Sequence, residues 1–305
     1  QATHEAVAAY HASRFPAGEL VADLTCGLGA DLLALAARGP ALGFDTDAER
    51  AACARHNLAV HGLGAEVREE DCLGAPWSWS YAFADPARRT DGRRTLDPKA
   101  FEPDPVTLAT RLGELRLGAL KLSPMLEDDF LATLSPGLEF VSYRGECREA
   151  LVWTGRDAEA GRWAVHVDSG SRLSASEAPW PVEEALDYLY EADPAAIRAH
   201  ALGTLCEAHG LEALGDSNGY LTSAQLVESP WLKAFRVLGT GAWDLRALRR
   251  ELAALGSSTP VVKVRACSVN PERTARTLRA DGARGLIVAA YPVGSKIRFA
   301  ILDRL

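Results

Sequence analysis

The sequence predicts an α/β protein in which a doubly wound, mostly parallel sheet with an antiparallel edge precedes a smaller C-terminal α/β domain. Three observations support this fold. Short apolar strands alternate with amphipathic helices through the first half of the chain. A glycine-rich turn, DLTCGLGAD at residues 23–31, joins the first of these strands to a helix. With 305 residues, the chain is longer than one average domain, which favours two.

Apolar periodicity places the elements of the first half in regular alternation. Strands are predicted at residues 20–24, 41–44, around 67, 81–84 and 119–122. Helices are predicted at residues 30–38, 48–61 and 105–116. Asp104 followed by Pro105 is typical of a helix start, because the carboxylate caps the helix and proline lacks only an N–H that would be unpaired there.

The pattern changes after residue 123. A short helix at 127–134 leads to strands predicted at residues 138–143, 149–153 and 163–167. These strands are close enough along the chain to pair antiparallel and complete one edge of the sheet. The segment DSGSRLSASEAPWP, residues 168–181, is rich in serine, proline and glycine and predicts a linker. Helical patterns resume at residues 182–192 and 194–209.

A second α/β pattern begins near Phe235. Its helices are predicted at residues 244–255 and 271–280, and its later strands at 261–267, 286–291 and 296–302. We therefore expect three parts: a sheet domain over residues 1–168, a linker and helical segment over 169–230, and a basic domain over 231–305.

Charge is distributed unevenly along the chain. The whole chain has 33 Lys and Arg against 41 Asp and Glu, a net charge of −8. Residues 231–305 alone hold 14 Lys and Arg against 5 Asp and Glu, a net charge of +9. An acidic body with a basic C-terminal part is the asymmetry expected when one part of a protein contacts a polyanion. A solvated basic surface without a partner is the alternative.

Composition argues against several classes of protein. No apolar run approaches the roughly 18 residues that a membrane span needs, and no basic-then-apolar leader opens the sequence. The 6 cysteines are scattered without a CxxC pair, and no histidine pairs with a cysteine or an acid at ligand spacing. We therefore expect a cytoplasmic protein with no metal, no disulfide framework and no membrane partner. The sequence begins at Gln1 and not at Met, so a preceding segment is expected.

The glycine turn is suited to a nucleotide-like cofactor. A strand that enters such a turn and continues into a helix places backbone N–H groups beside a ligand, which Gly27 and Gly29 allow to approach closely. A dinucleotide fingerprint would need a third small residue where Leu32 stands, and its turn holds a pyrophosphate. Asp23 and Asp31 would repel pyrophosphate but suit a ligand that carries an amine and a sulfonium. That ligand is S-adenosylmethionine.

Two more carboxylates support this cofactor. Asp45 closes the second strand, where it can accept both ribose hydroxyls. Asp71 closes the third strand, where it can accept the adenine amino group. Each of them alone is more often an exposed loop acid, but four carboxylates at successive strand ends favour one common site.

These features resemble the class I S-adenosylmethionine-dependent methyltransferases, with their Rossmann-like sheet, over residues 1–155. The whole chain resembles the bacterial methyltransferases that carry a THUMP-like C-terminal domain, through QATHEAV (1–7), DLTCGLGAD (23–31), ADPARR (84–89), KLSP (121–124) and the C-terminal unit. The resemblance implies a methyltransferase domain over residues 1–168 and a THUMP-like domain over 231–305.

The resemblance also places the N-terminal residues Gln1, Ala2 and Thr3 near the methionine end of the cofactor, with Thr3 capping the first helix. The cofactor contacts that we expect are from Thr3, Asp23, Thr25, Cys26, Gly27, Gly29, Asp31, Asp45, Thr46, Asp71 and Cys72. THUMP domains bind RNA, so the likeness also implies an RNA partner.

The fourth strand leads into Asp85-Pro86-Ala87-Arg88-Arg89, at the edge where open α/β sheets bind ligands. Amino-group methyltransferases have a similar loop, with Asn or Asp, two prolines and an aromatic residue. Asp85 and Pro86 match it, whereas Ala87 and Arg88 depart from it, which leaves the acceptor atom open. The predicted catalytic residues are Asp85, Pro86 and Arg88. Arg88 and Arg89 are predicted to bind substrate, because an arginine can stack on a base or hold a phosphate.

Covalent pyrimidine chemistry is not expected. The RNA uracil-5 methyltransferases have a similar loop but also need a nucleophilic cysteine after strand five, where this chain reads KLSPML. Direct in-line transfer remains, with Asp85 as an orienting acceptor or weak base. Trp77 and Trp79 precede the loop and are candidates to stack on a base, although tryptophans are more often buried in a core.

The basic domain is predicted to hold the substrate. Strand alternation places Lys263 with Arg265, and Lys296 with Arg298, on one face of the second sheet. If helices cover the other face, these four cations share an open surface. Further arginines lie on the two predicted helices: Arg246, Arg249, Arg250, Arg273, Arg276 and Arg279. Phosphates are the natural partners of such cations, and we expect recognition by shape and backbone.

The sequence thus predicts a methyltransferase that acts on structured RNA, such as tRNA or rRNA, by direct non-covalent transfer. A protein or small-molecule acceptor is an alternative within the same enzyme class. A non-catalytic RNA-binding protein that retains a cofactor pocket is an alternative from another class, and a dehydrogenase is a more distant one.

Overall fold

The computed structural model describes residues 2–74, 76–90, 93–94 and 97–305, without the side chains of residues 88–90 and 93–94. The chain divides into two compact units, Gln1–Arg172 and Leu173–Leu305, which we call the N-terminal unit and the C-terminal unit. Within the described residues, no helix combines the length and the apolar character that a membrane crossing requires.

A mixed sheet forms the centre of the N-terminal unit. The strands are β1 (Val21–Asp23), β2 (Ala41–Phe44), β3 (Glu66–Arg68), β4 (Tyr81–Ala84), β5 (Ala87–Thr90), β6 (Arg93–Arg94), β7 (Phe101–Glu102), β8 (Leu117–Leu122), β9 (Gly137–Tyr143), β10 (Glu146–Thr154), β11 (Gly161–His166) and β12 (Ser171–Ser174). The order in the large sheet is β12-β11-β9-β10-β8-β4-β1-β2-β3, and β5, β6 and β7 form a small separate sheet. The run from β3 to β8 is parallel throughout, which confirms the predicted doubly wound sheet.

Helices connect these strands. They are α1 (Glu5–Ser13), α2 (Ala30–Ala36), α3 (Ala48–Val60), α4 (Pro105–Leu112) and α5 (Asp128–Leu134), with a 3-10 turn at Pro98–Ala100. Asp104 caps α4 as predicted, since its Oδ2 accepts the N–H of Thr107 at 2.8 Å. The cap of α1 is His4, whose Nδ1 accepts the N–H of Ala6. The prediction that Thr3 caps this helix is therefore wrong, because helical backbone begins one residue later than that role requires.

The antiparallel edge differs in part from the prediction. β10 pairs antiparallel with both β8 and β9, but β11 pairs parallel with β9. Because β10 already has a neighbour on each side, the next strand adds to the free side of β9. The chain leaves β10 near Gly137, where β9 begins, so β11 starts at the same end as β9 and runs in the same direction.

The core of the N-terminal unit holds the strand ends in place. Leu32 of α2, Leu58 of α3 and Phe83 of β4 are almost completely buried in one apolar cluster with the sheet. Each side chain of this size contributes roughly 1.5–3 kcal/mol when it is removed from water. Polar groups at the ends of the strands are thus carried by a rigid framework.

The C-terminal unit is built on a second sheet. Its strands are β13 (Tyr188–Ala192), β14 (Glu212–Ala213), β15 (Tyr220–Ser223), β16 (Leu232–Ala242), β17 (Val261–Val264), β18 (Ile287–Val293) and β19 (Lys296–Arg304). Its helices are α6 (Pro194–Arg198), α7 (Leu202–His209), α8 (Leu245–Ala254) and α9 (Pro271–Thr277). The strand order is β14-β15-β13-β16-β19-β18-β17. Leu248 and Leu252 of α8 and Leu278 after α9 pack on Val262 and Phe299, so helices cover that face of the sheet as predicted.

The segment expected to be a linker with helices is part of this sheet. β13 lies within the predicted helix over 182–192, and it pairs with β15 and β16. Tyr188 and Tyr190 fit a pleated strand that has neighbours on both sides, and this pairing overrides the local helical pattern. The predicted helix over 194–209 is divided into α6 and α7, because His200 adopts a φ of +57° between them. A boundary at residue 231 would cut the sheet in two, so the structure corrects it to residues 172 and 173.

Gly43 of β2 lies directly behind the glycine turn. A Cβ there would stand 2.6 Å from Cδ2 of Leu32 and 3.2 Å from Sγ of Cys26. We expect Gly43→Ala to lower the free energy of unfolding by about 1–3 kcal/mol, because overpacking pushes the turn away from the sheet. Urea unfolding measures this, with Gly64→Ala as the control, since a Cβ at Gly64 meets nothing within 4 Å. Equal stability of the two variants would contradict the packing described.

Candidate functional site

Polar side chains converge where the parallel strands end. Asp23 ends β1, Asp45 follows β2, Asp85 follows β4, and Lys121 lies near the end of β8. β1 lies between β2 and β4, and β8 follows β4 in the sheet. Because the carboxyl ends of parallel strands meet at one edge, these four side chains surround one site.

The turn between β1 and α2 has a backbone shape suited to close approach by a ligand. Gly27 and Gly29 have φ values of +52° and +88°, which other residues rarely adopt. The N–H of Gly27 donates to Oδ2 of Asp45 at 3.0 Å, and this bond ties the turn to the end of β2. A Cβ at Gly29 would stand 3.2 Å from Ala54, so this glycine also allows α3 to approach.

Asp23 is a buried carboxyl group with an unused oxygen. Only 1% of the residue is exposed, and its Oδ1 accepts the N–H of Thr25 at 3.3 Å. Its Oδ2 has no hydrogen-bond partner among the described residues. Burial, together with the nearby charge of Asp31, raises the pKa of Asp23 well above its usual value. A buried polar group without a partner costs free energy, and a cation placed beside it would recover that cost.

His11 links carboxylates from α2 and β10. Its Nδ1 lies 2.7 Å from Oδ1 of Asp31, and its Nε2 contacts Oε1 of Glu149. Burial alone would lower the pKa of His11, but Glu149 and Asp31 outweigh burial and raise it from 6.5 to about 10. The imidazole is therefore protonated at neutral pH and donates to both carboxylates. Burial alone would raise the pKa of Asp31, but His11 lowers it overall.

Lys121 extends this arrangement to the loop after β4. Its Nζ donates to Oδ2 of Asp85 at 2.6 Å and to Oγ1 of Thr3 at 3.0 Å, and it lies 4.0 Å from Oε2 of Glu149. Thr3 in turn donates to Oδ2 of Asp31 at 2.6 Å. Burial alone would lower the pKa of Lys121, but these carboxylates outweigh it and raise the pKa. We call the connected side chains the charge network: Thr3, His11, Asp31, Asp85, Lys121 and Glu149.

Asp85 is fixed by its backbone as well as by Lys121. Its N–H donates to Oγ1 of Thr25 at 2.6 Å, which joins the loop after β4 to the glycine turn. Burial raises the pKa of Asp85, and the ammonium of Lys121 opposes that rise. The side chain remains 38% exposed, so it is accessible from solvent, whereas Pro86 is buried. The side chains of Arg88 and Arg89, predicted to contact substrate, lie outside the described residues.

The remaining predicted cofactor residues differ in position. Cys26 is buried behind the turn, where burial raises the pKa of its thiol, and Thr46 is exposed after β2. Asp71 does not close β3 as predicted but lies in a turn beyond it, where its Oδ1 accepts the N–H of Leu73 at 2.9 Å. The neighbouring Cys72 is buried, and burial raises its pKa from 9.0 to about 12.

Trp77 and Trp79 pack within the N-terminal unit. Trp79 is 7% exposed and lies against Phe44, with ring centroids 5.3 Å apart. Nε1 of Trp77 donates to the carbonyl of Cys72 at 2.8 Å, and the guanidinium of Arg111 lies 4.1 Å from its ring centroid. Both rings therefore have partners inside the fold, which favours the core interpretation over stacking on a base.

The expected open face of the C-terminal sheet is not open. The face opposite α8 and α9 buries a second apolar cluster that includes Tyr220, Phe235 and Tyr291. The guanidinium of Arg265 lies 5.6 Å from the ring centroid of Tyr220, and the ammonium of Lys263 lies 5.6 Å from that of Phe235. The prediction of four cations on a free surface is wrong, because aromatic side chains and intervening segments cover it.

Carboxylates of the C-terminal unit neutralise two of these four cations. Lys263 pairs with Glu191 at 2.6 Å, Arg298 pairs with Glu184, and Lys296 is exposed. Both carboxylates come from residues 173–230, the stretch predicted to be a linker. The complete C-terminal unit holds 15 Lys and Arg and 15 Asp and Glu, so it has no net charge.

Sequence reasoning missed three members of the charge network. His11, Lys121 and Glu149 have partners between 20 and 138 residues away along the chain. A signal was present for Lys121 and Glu149, because a charged residue beside a buried apolar strand needs a partner. For His11, a single histidine on a buried helix face gives no such signal. In the described part of the chain, no group of three His, Cys, Asp or Glu side chains could hold a metal ion.

The site residues fit a cationic nucleoside cofactor. The open oxygen of Asp23 suits an ammonium group, and the two glycines leave room for a ligand beside the main chain. Asp45 retains lone pairs for hydroxyl groups, since among the described residues its carboxylate accepts only from the N–H groups of Gly27 and Asp47. The fold and this site define the class of α/β enzymes that bind a nucleoside cofactor at the carboxyl edge of a parallel sheet.

Comparison with known proteins identifies the family. No family model matches the chain. Uncharacterized S-adenosylmethionine-dependent methyltransferases from two strains of Mycobacterium tuberculosis are each 34% identical over 303 residues, which is 97% of this chain and 83% of theirs. A crystal structure of a presumed methyltransferase from Porphyromonas gingivalis W83 has a TM-score of 0.77 and 22% identity, over 100% of this chain and 81% of that one. The chain belongs to the S-adenosylmethionine-dependent methyltransferases, which confirms the predicted enzyme class and cofactor.

Substitution of Asp23 is expected to weaken cofactor binding without lowering the stability of the protein. We expect Asp23→Asn to leave the unliganded protein equally or more stable, since a buried acid next to Asp31 is removed. We expect affinity for S-adenosylmethionine to fall about 10- to 100-fold, the loss of one charge-assisted hydrogen bond. Thermal unfolding and calorimetric titration measure the two effects. Unchanged affinity in Asp23→Asn would exclude this carboxyl group from the cofactor site.

The pKa of His11 predicts a pH-dependent stability. A histidine whose pKa rises from 6.5 to about 10 on folding stabilises the protein fully below pH 6.5, and this contribution is lost as the pH rises to about 10. We expect the free energy of unfolding to fall less steeply between these limits in His11→Gln than in wild type. His56→Gln, at an exposed position of α3, is the control and should keep the wild-type slope. Parallel profiles for all three proteins would contradict a protonated His11.

Proposed function

We propose that this methyltransferase modifies structured RNA, such as tRNA or rRNA, by direct transfer without a covalent protein intermediate. In this proposal the N-terminal unit carries out the chemistry and the C-terminal unit holds the RNA as a THUMP-like domain. The observation that carries the proposal is the group of six exposed arginines on and just after α8 and α9. Polyanions are the partners that such a charge distribution favours.

The proposed cofactor contacts follow from the groups that the network leaves available. Asp23 accepts from the ammonium group of the cofactor, the glycine turn contacts it through backbone, and Asp45 accepts from the ribose hydroxyls. Asp71 is exposed beyond β3 and is the proposed acceptor for the adenine amino group. The carboxylate of Asp31 is already hydrogen-bonded to His11. We therefore propose that Asp31 positions the charge network around the methionine end of the cofactor. When bound, S-adenosylmethionine supplies a methyl group on a sulfonium.

Asp85 is the proposed orienting group for the acceptor. It is the partly exposed carboxylate of the charge network, and Lys121 and the hydroxyl of Thr25 both fix its position. A carboxylate held in this way can accept the hydrogen of an N–H or O–H group and align the lone pair of the acceptor atom. Lys121 favours the charged form of Asp85, which is the form able to accept, and so opposes the rise that burial causes in the pKa of Asp85.

The thiols of the N-terminal unit are consistent with direct transfer of the methyl group. The residue that follows β8 is Ser123, where the covalent enzymes need a cysteine. Cys26 and Cys72 lie near the cofactor turn, but burial raises the pKa of both thiols and keeps them protonated. A protonated thiol is a poor nucleophile.

One observation favours a second candidate. The C-terminal unit as a whole has no net charge, because ten of its acids lie in residues 173–230. A protein or small-molecule acceptor requires no basic surface, so it remains the competing proposal. The two proposals differ in which fraction of a cell extract receives the methyl group.

Lys121→Met tests whether the ion pair between Lys121 and Asp85 holds Asp85 in position to orient the acceptor. We expect kcat to fall about 10- to 100-fold, since Asp85 loses the charged partner that holds it, while the affinity for S-adenosylmethionine changes less. Lys121→Arg restores a cation and should recover part of the activity. Steady-state kinetics and calorimetry provide the two readouts. If Lys121→Met reduced cofactor affinity and left kcat unchanged, the orienting role would be wrong.

The proposed function is tested with methyl-labelled S-adenosylmethionine and RNA from cells that lack this gene. We expect label in RNA with the wild-type protein and with Asp129→Ala, an exposed acid of α5, but not with Asp85→Ala. Nuclease digestion would then locate the modified nucleotide. Label in protein or in small molecules, with none in RNA, would overturn the RNA proposal and support the competing one.

A further inference from the structure

The cations of the C-terminal unit differ in whether they have carboxylate partners. Three cations on or beside the sheet are paired: Lys263 with Glu191, Arg298 with Glu184, and Arg284 with Asp303. The arginines on and after the two outer helices, α8 and α9, are exposed: Arg246, Arg249, Arg250, Arg273, Arg276 and Arg279. Six exposed arginines therefore lie on the helical side of this unit, and the exposed cations of the strands are Lys233, Arg236, Lys296 and Arg304.

Three of these arginines line one open cleft. Arg249 of α8, Arg276 of α9 and Arg279 just beyond α9 surround a cavity of about 580 Å³, together with Ala253, Ala280, Asp281 and Gly282. Among the described residues, none of the three guanidinium groups has a carboxylate partner within ion-pair distance. Asp281 is the single acid of the lining, so the cleft carries a net positive charge.

The walls of the cleft are held rigidly. Leu248 and Leu252 anchor α8 in the core, and Leu278 anchors the end of α9 between Arg276 and Arg279. The N–H of Gly282 donates to the carbonyl of Ser257 at 3.0 Å, which ties the segment after α9 to the loop after α8. The three guanidinium groups are thus carried by fixed backbone and not by a loose loop.

We propose that this cleft binds phosphate groups of an RNA backbone. Guanidinium groups match phosphate oxygens with paired N–H donors, and three of them around one cavity can contact more than one phosphate. The lining has no aromatic side chain on which a base could stack, so the cleft selects backbone and shape rather than sequence. This inference rests on the proposed RNA substrate and moves the contact surface from the sheet to the helices.

The test compares two triple variants with the same change in charge. One is Arg249→Gln/Arg276→Gln/Arg279→Gln, and the control is Arg246→Gln/Arg250→Gln/Arg273→Gln, on or beside the same helices but outside the cleft. Binding of a fluorescent RNA hairpin is measured across a salt series. We expect the cleft variant to lose at least about 10-fold in affinity and its salt slope to fall by about 2 to 3 units, and the control to change far less.

Three outcomes would overturn the proposal. Equal losses of RNA affinity in both triple variants would show that RNA binds to a diffuse positive surface and not to the cleft. A cleft variant with wild-type affinity and slope would show that these arginines do not contact RNA. A polyglutamate peptide that competes with the hairpin as well as unlabelled RNA does would show an acidic-protein site. Because binding is measured without turnover, weakened hairpin binding in the cleft variant supports the cleft even if the labelling experiment finds no methylated RNA.

Discussion

The buried charge network is the interaction on which the carboxyl edge of the N-terminal sheet depends. His11 and Lys121 are two cations placed among three carboxylates, Asp31, Asp85 and Glu149. These groups come from α1, α2, the loop after β4, β8 and β10, so a single network fixes elements that are distant in sequence. Removal of one partner from such a pair leaves an uncompensated buried charge, which costs about 3–5 kcal/mol.

The charge balance of the network explains which ligand suits the site. Two cations against three carboxylates leave one negative charge, and Asp23 beside them has a raised pKa and an unused oxygen. A pyrophosphate would add negative charge to this edge of the sheet and would be repelled. A ligand with an ammonium and a sulfonium compensates the surplus charge and gives Asp23 a partner. The physical argument and the family membership thus lead to the same cofactor.

Local patterns in the sequence were sufficient for the parallel part of the N-terminal sheet and for the glycine turn. Alternating apolar strands and helices gave the parallel sheet, and the turn around Gly27 and Gly29 gave the edge of the sheet where the polar side chains converge. The charge network was not predictable in the same way, because His11 and Glu149 are 138 residues apart and meet only in the folded chain. Periodicity also could not show that β11 would pair parallel with β9, since that depends on which strand edges are still free.

In the C-terminal unit, too, local sequence patterns did not predict contacts between residues that are distant along the chain. Strand alternation correctly placed Lys263 and Arg265 on one face, but it could not show that Glu191 and Tyr220 would meet them there. Those partners come from a stretch whose local pattern resembles a linker with helices. Net charge counted along a segment therefore overestimated the positive surface, and a group of exposed arginines lies on and just after α8 and α9.

The most direct test of this account is the number of protons released when S-adenosylmethionine binds. Calorimetric titration in buffers of different ionisation enthalpy measures it, across a series from about pH 5 to about pH 8. The account predicts release of a proton over part of this series, because a cation beside Asp23 lowers a pKa that burial has raised, and Asp23→Asn should abolish the release. Binding without proton release at any pH, or release that persists in Asp23→Asn, would contradict it.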